Sequence, residues 1–424
     1  MAYSLSLALR EGLMGGMNWM PEATSAAAWL IFLATYAVMA VGKIPVYRID
    51  RAGAALLGGS LMVATGVLSL DEAYRAVDFN TIVLLLGMMI VVANLRLSGF
   101  FRVITYWTAA YVRRPITLLG TVIFSSGILS AFLVNDTICL VMTPLVLELV
   151  TRLKRNPIPY LLAVATASNI GSVATITGNP QNIIIGSLSG IPYGDFAAAL
   201  VPVAVIGLMI TSVLIAFSYR SEFFTPDRFD KIDVSARYHG PLLAKSLVVM
   251  AVMVVLFFFG QPVAKVAIMG GAFLLLTRRV RPEKVYIEID WPLLVMFVGL
   301  FVVIGGLEKA VITADVSAAI ARQHLDNPTI LASLTAVLSN LVSNVPAVLL
   351  LKSFVPNLQD PQRAWLVVAM AATLAGNFTL VGSVANLIVA QRAKARGVEL
   401  NFGEYFKVGA PLTVLTIAFG LLWL

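Results

Sequence analysis

The residues best placed to do chemistry lie inside otherwise apolar runs. Asn135, Asp136 and Thr137 interrupt the stretch 116–151, and Thr175, Thr177, Asn179 and Asn182 cluster about a Gly178-Asn179-Pro180 turn some forty residues on. A second set recurs later, with Ser343 and Asn344 beside Pro346, then Asn377, Thr379, Ser383 and Asn386. Amides and hydroxyls of this kind donate to a bound oxyanion and accept from the hydroxyls of a neutral solute. Asp136 is the one ionisable side chain among them, and a carboxylate at membrane depth is read first as a proton, ion or substrate site. The short helices that such breaks create add partial positive charge at their N-termini. No lysine or arginine stands in either set, so a multiply charged anion would need a bound cation beside it.

The surrounding composition sets these residues in a membrane. The chain has 424 residues, 59% hydrophobic and 12% charged, with a mean hydropathy of +0.90, against roughly 25% charged in a soluble domain. Its apolar runs are long enough for helices that cross about 30 Å of hydrocarbon, whereas barrel strands would alternate over about 10 residues. The fold class is therefore all-α and polytopic. One cysteine, Cys139, and two histidines, His239 and His324, leave no disulfide and no histidine- or thiolate-based metal centre. The net charge of +8 belongs to topology, with no role for nucleic acid.

Residues 1–24 form an N-terminal lead-in, and spans follow at about 25–42, 52–68 and 79–95. Residues 96–115 form an interfacial helix whose arginines snorkel to the headgroups. The stretch 116–151 has basic residues at both ends, so both ends face one side and a re-entrant hairpin of two short helices carries Asn135 and Asp136 at its tip. A helix from about 158 to 190 breaks at Gly178-Asn179-Pro180, because proline lacks the amide hydrogen and frees backbone groups. After a span at 196–219 comes a cytoplasmic linker, 220–240. Spans at 241–259, 262–278 and 290–306, an amphipathic piece at 307–324, a pair at 328–352 broken at Ser343-Asn344, an interrupted helix at 361–391 and a last span at 404–424 complete the chain. On this topology 23 of the 30 basic residues fall on the side of the first hairpin's flanks, which marks that side as cytoplasmic. The expected location is the inner, plasma membrane.

The two halves repeat each other. LSAFLVNDT (129–137) aligns with LSNLVSNVP (338–346), and ATITGNPQNIII (174–185) with FTLVGSVANLIV (378–389), at shifts of 204 to 212 residues. Asn135 falls on Asn344, Thr175 on Thr379, Gly178 on Gly382 and Asn182 on Asn386. An odd number of crossings between the copies inverts one against the other. We therefore expect two inverted repeats, 25–219 (with one extra N-terminal span) and 241–424, each with a re-entrant hairpin and a broken helix meeting near the midplane. Asp136 has Val345 at its matching place, so proton coupling is assigned to Asp136.

NDTICLVMTP, TGNPQN, LSNLVSNVPAV and GNFTLVGSVANLIV resemble the ion transporter superfamily, which includes arsenite efflux permeases, sodium/proton antiporters, citrate/metal carriers and sodium-coupled dicarboxylate carriers. The tips depart from the Ser-Asn-Thr signature of the dicarboxylate carriers and are closer to the arsenite permeases. The resemblance implies export of neutral arsenous acid or its antimony counterpart against an inward proton flux, without a cofactor. Its alternatives are sodium- or proton-coupled transport of a carboxylate or inorganic anion, and sodium/proton antiport, with sodium as coupling ion. It also allows a homodimer and, as in some arsenite permeases, a soluble ATPase partner. No nucleophile, base and metal set for an enzyme is present.

Overall fold

A computed structural model describes residues 20–41, 49–226, 228–229, 238–276, 280–311 and 324–424. The expected lead-in up to residue 19, linker residues 230–237 and the amphipathic piece over 312–323 lie outside the described residues. Every regular element among the described residues is a helix. In chain order these are α1 (Met20–Val41), α2 (Arg51–Ala64), α3 (Leu70–Ala76), α4 (Phe79–Ser98), α5 (Phe100–Tyr111), α6 (Pro115–Phe132), α7 (Asn135–Arg152), α8 (Pro157–Ser172), α9 (Pro180–Ser189) and α10 (Tyr193–Ser218). There follow α11 (Arg220–Phe223), α12 (Gly240–Phe258), α13 (Val263–Leu275), α14 (Pro282–Ile287), α15 (Trp291–Val311), α16 (Pro328–Val342), α17 (Asn344–Leu351), α18 (Pro361–Ala375), α19 (Val384–Lys394) and α20 (Phe402–Trp423). Six of the described helices are long and apolar enough to cross a membrane, and four shorter ones are apolar over 10–17 residues.

The chain divides into two compact units, 1–82 with 291–325, and 83–290 with 326–424. In the first, α15 packs on α1 and α2, and Gly299 lies so close to the Ala55 carbonyl that a Cβ there would collide with it. Asp50 caps α2 by accepting from Gly53 N at 2.8 Å. Ser69 and Glu72 form a reciprocal capping box on α3, which satisfies two of the amides that a helix start leaves open. Lys309 on α15 pairs with that Glu72 at 2.7 Å. The helix expected over 52–68 stops at Ala64, where Gly66 turns the chain at φ 76°.

In the second unit α8 and α18 are two largely enclosed helices. Pro159 to Ser172 and Val367 to Ala375 are buried throughout and hold no charged residue. Their Ala, Ser, Thr and Gly content lets neighbouring backbones come close: a Cβ on Gly171 would run into the Gly127 carbonyl of α6. α6 and α7, 18 residues each, are joined by Leu133 and Val134 alone and both pack on α8. At about 27 Å each, they are longer than the short arms expected from sequence. The corresponding pair, α16 and α17, has 15 and 8 residues and turns at Ser343, whose φ of 76° lies in a region that L-residues rarely occupy.

The interruption after α8 runs through a single 3₁₀ turn, Ile176–Gly178, before α9 begins at Pro180. Proline at the first helical position loses no hydrogen bond, since that amide has no partner inside the helix. The interruption after α18 spans Gly376 to Ser383 before α19. Both breaks stand where the sequence places them.

Candidate functional site

The site is built around Asn169, a residue the sequence reading did not single out. Its Nδ2 donates to Asn377 Oδ1 at 2.8 Å and to Asn386 Oδ1 at 3.0 Å. Its Oδ1 accepts from Asn135 Nδ2 at 3.0 Å and from Ser383 Oγ at 3.2 Å. Two donors and two acceptor sites exhaust a carboxamide, so this one fully buried side chain ties Asn135, at the start of α7, to the second break at Asn377, Ser383 and Asn386. Asn344, at the start of α17, lies beside the same group: the place a Cβ would take on Gly376 is 3.2 Å from Asn344 Nδ2 and 3.1 Å from the Ser383 side chain. Serines brace the start of α7, with Ser168 Oγ donating to Asn135 O at 3.1 Å and Ser130 Oγ to Ser168 Oγ at 2.9 Å.

The two breaks are held by the same device. Asn182 Nδ2 donates to the carbonyls of Ser172 and Thr175, both at 3.0 Å. Asn386 Nδ2 donates to those of Gly376 at 2.7 Å and Thr379 at 3.1 Å. In each case the asparagine closes carbonyls ten and seven residues earlier that the broken helix leaves open. The cross-bonds are reciprocal as well. Asn169 reaches Ser383 and Asn386, while Thr373, which stands 204 residues after Asn169, accepts from Asn179 Nδ2 at 3.2 Å and Gln181 Nε2 at 3.1 Å.

Several of the predicted site residues are committed to structure. Asn179 caps α9, taking the Asn182 amide at 2.8 Å, and Ser383 caps α19 through Ala385 N at 3.1 Å. Thr175 Oγ1 donates to the Ala131 carbonyl at the end of α6, and the Thr177 hydroxyl shares a hydrogen bond of 2.9 Å with Tyr193 of α10. Asn377 Nδ2 donates to Thr166 O at 3.2 Å. Asp136, Thr137, Ser343 and Thr379 are half-buried. Asp136 sits in the first turn of α7, where the open helix amides favour a carboxylate.

Asn135 and Asn344 begin α7 and α17, yet the capping positions belong to Val134 and Ser343, neither of which forms a side-chain cap. The two amides are therefore not spent as caps. Asn135 Oδ1, Asn182 Oδ1 and Asn344 Oδ1 are buried and accept no hydrogen bond from the described residues; Asn340 Oδ1, facing Gly382, is a fourth. A buried acceptor left open costs about 1–3 kcal/mol, so each of these oxygens is suited to a donor or a cation. Among the described residues no three His, Cys, Asp or Glu side chains gather to hold a metal ion.

Asn169 could have been suspected from its setting. It is the amide in AVATASNIGS, Ala163 to Ser172, a run of small residues in which a polar side chain joins close-packed helices.

The family model described as citrate transporter (CitMHS) matches residues 27–367. The chain is 30% identical to the 46 kDa membrane protein of Mycobacterium leprae, an alignment that covers 94% of this chain and 98% of that protein. It is 29% identical to the silicon efflux transporter LSI3 of Oryza sativa subsp. japonica (89% and 93% covered). It is 25% identical to a Dictyostelium discoideum protein named as a transporter, arsB (92% and 89% covered). The crystal structure of the Alcanivorax borkumensis YdaH transporter superposes with a TM-score of 0.61 over 95% of this chain and 97% of that one, at 14% sequence identity, a likeness of fold.

Proposed function

The chain belongs to the citrate transporter (CitMHS) family, and from that premise we propose that it exports a small, neutral, hydroxylated acid, arsenous acid or its antimony counterpart, in exchange for protons. It is a membrane transporter and not an enzyme. The observation that carries the substrate reading is the set of open amide oxygens on Asn135, Asn182, Asn340 and Asn344, in a polar shell without lysine or arginine. Such acceptors are satisfied by hydroxyl donors, and an uncharged acid brings several without an anionic charge to balance. Relatives named for silicon efflux and as arsB are consistent with this class of solute.

Asp136 is the residue we assign to the proton. Protonation turns its carboxylate from an acceptor into a donor, so proton and solute compete for the same neighbourhood. The paired breaks and the reciprocal bonds of Asn169 and Thr373 support an arrangement of two inverted repeats, 25–219 and 241–424, joined by the linker 220–240 in the plasma membrane. Movement of one bundle against the other would then expose the polar centre to each side in turn.

The family description favours a second reading, cation-coupled transport of a carboxylate, because the same amide oxygens would ligate sodium. Purified protein in proteoliposomes, given a panel of arsenite, antimonite, silicic acid, citrate and sulfate with proton and sodium gradients imposed separately, decides between them. The proposal expects proton-driven movement of the neutral acids, abolished in Asp136→Asn while protein level persists. Sodium-driven citrate uptake that ignores arsenite would replace it with the second reading, and sodium/proton exchange without any solute would reject both.

A further inference from the structure

A cavity of about 880 Å³ lies in the second unit beside α7. α7 lines it with Leu140, Pro144, Glu148 and Arg152. Residues four apart share one side of a helix, and the position that continues this row toward the N-terminus is Asp136. Leu140 is thus the innermost member, one turn and about 6 Å along the axis from Asp136. From Leu140 to Arg152 the wall extends about 18 Å and ends among the basic residues that mark the cytoplasmic side.

Among the described residues the charges lining this cavity do not cancel. Arg152 pairs with Glu148 at 2.8 Å and Arg96 with Glu288. Arg102 of α5 and Arg396 also line it, and among the described residues neither meets a carboxylate. Arg396 reaches across to α7, donating to the Pro144 carbonyl at 2.8 Å. With no carboxylate against them among the described residues, these two guanidinium groups give the space a positive potential that favours anions and neutral molecules over cations.

We propose that this cavity is an aqueous route from the cytoplasmic side to Asp136, and that Arg102 and Arg396 make it selective against hydrated metal cations. Small anions and neutral hydroxylated acids are the class of solute that such a route passes. The inference rests on the transporter reading above, but its test needs no substrate.

In a Cys139→Ser background, Leu140→Cys and Leu145→Cys are each treated with membrane-impermeant thiosulfonate reagents, one anionic (sulfonatoethyl) and one cationic (trimethylammonioethyl). Inside-out and right-side-out vesicles are compared, with rates normalised to a free thiol and folding checked by gel filtration. Both cysteines are expected to react in inside-out vesicles only. The anionic reagent should react several-fold faster, an advantage lost in Arg102→Gln/Arg396→Gln. Reaction at Leu145→Cys but not at Leu140→Cys, reaction at neither, or reaction from the outer face would overturn the route. Equal rates for the two reagents would overturn the selectivity. A labelled Leu140→Cys in a protein inert toward the whole solute panel would sink the transport assignment and leave the route standing.

Discussion

Asn169 Nδ2 donates to Asn386 Oδ1 across 3.0 Å, joining residues 217 positions apart. Because the same carboxamide also holds Asn135, Asn377 and Ser383, its removal opens four buried groups at once. Each orphaned group costs about 1–3 kcal/mol, and members of one network do not add. Asn169→Ala is expected to lose about 3 kcal/mol, seen as a lower melting temperature in detergent. A melting temperature equal to the wild type's would show that the network holds nothing together.

Ser343 separates strain from binding. Its φ of 76° with ψ of 158° falls where glycine alone is comfortable, at a cost of about 1–3 kcal/mol for other residues. Ser343→Gly should melt at or above the wild-type temperature, and Ser343→Val well below it. If Ser343→Gly melts lower, the hydroxyl holds the turn and the strain argument fails. Transport by the stable glycine variant then reports on the hydroxyl alone.

Gly171 is where α8 meets α6, with no room for a Cβ beside the Gly127 carbonyl. Gly171→Ala has to push two buried helices apart, an overpacking cost of about 1–3 kcal/mol. Gly120 on α6 has nothing within 4 Å of its Cβ position, so Gly120→Ala should be neutral or mildly stabilising through helix propensity. Equal melting temperatures for the two variants would contradict the close crossing.

The Glu72–Lys309 pair gives a pH signature. The hydrogen bond from Lys309 and those of the capping box lower the Glu72 carboxyl from its usual 4.5 to about 2. A depressed carboxylate stabilises the fold above its unfolded pKa and loses that contribution as pH falls through the folded value. Wild type should therefore melt slightly above Glu72→Gln at pH 7, with the gap closing between about pH 4.5 and 2. The gap is small because both side chains are 40–48% exposed to solvent. A gap that widens in acid would reverse the sign assigned here.

Much of the architecture was legible because the signals are local. The breaks at Ser343, Thr175–Asn179 and Gly376–Ser383 show as polar or proline-glycine interruptions in apolar runs, and each stands as a helix end; the break read at Asn135-Asp136 falls just before them, at the apolar pair Leu133-Val134. The ends of α2 and the lengths of α6 and α7 were read less well, since apolar composition continues past a helix end and a polar tip says nothing of how far its arms extend. The short helices α3 and α14 were missed, being seven and six residues in segments whose hydropathy is mixed.

By itself the sequence determined that this is a membrane chain built of helices, that similar polar motifs recur in its two halves, and that its polar residues concentrate at the breaks. These follow from composition and spacing, which act residue by residue. Only the tertiary structure decided what each amide does. Asn135 and Asn344 look alike in sequence to Asn179, yet Asn179 caps a helix while the other two keep an open oxygen. Asn169 becomes the centre only when residues more than two hundred positions apart are brought within hydrogen-bond reach. The reason is the range of the forces: helix breaking is set by a residue's own backbone, whereas the choice among hydrogen-bond partners in a dry interior is set by whichever groups the fold places within about 3 Å.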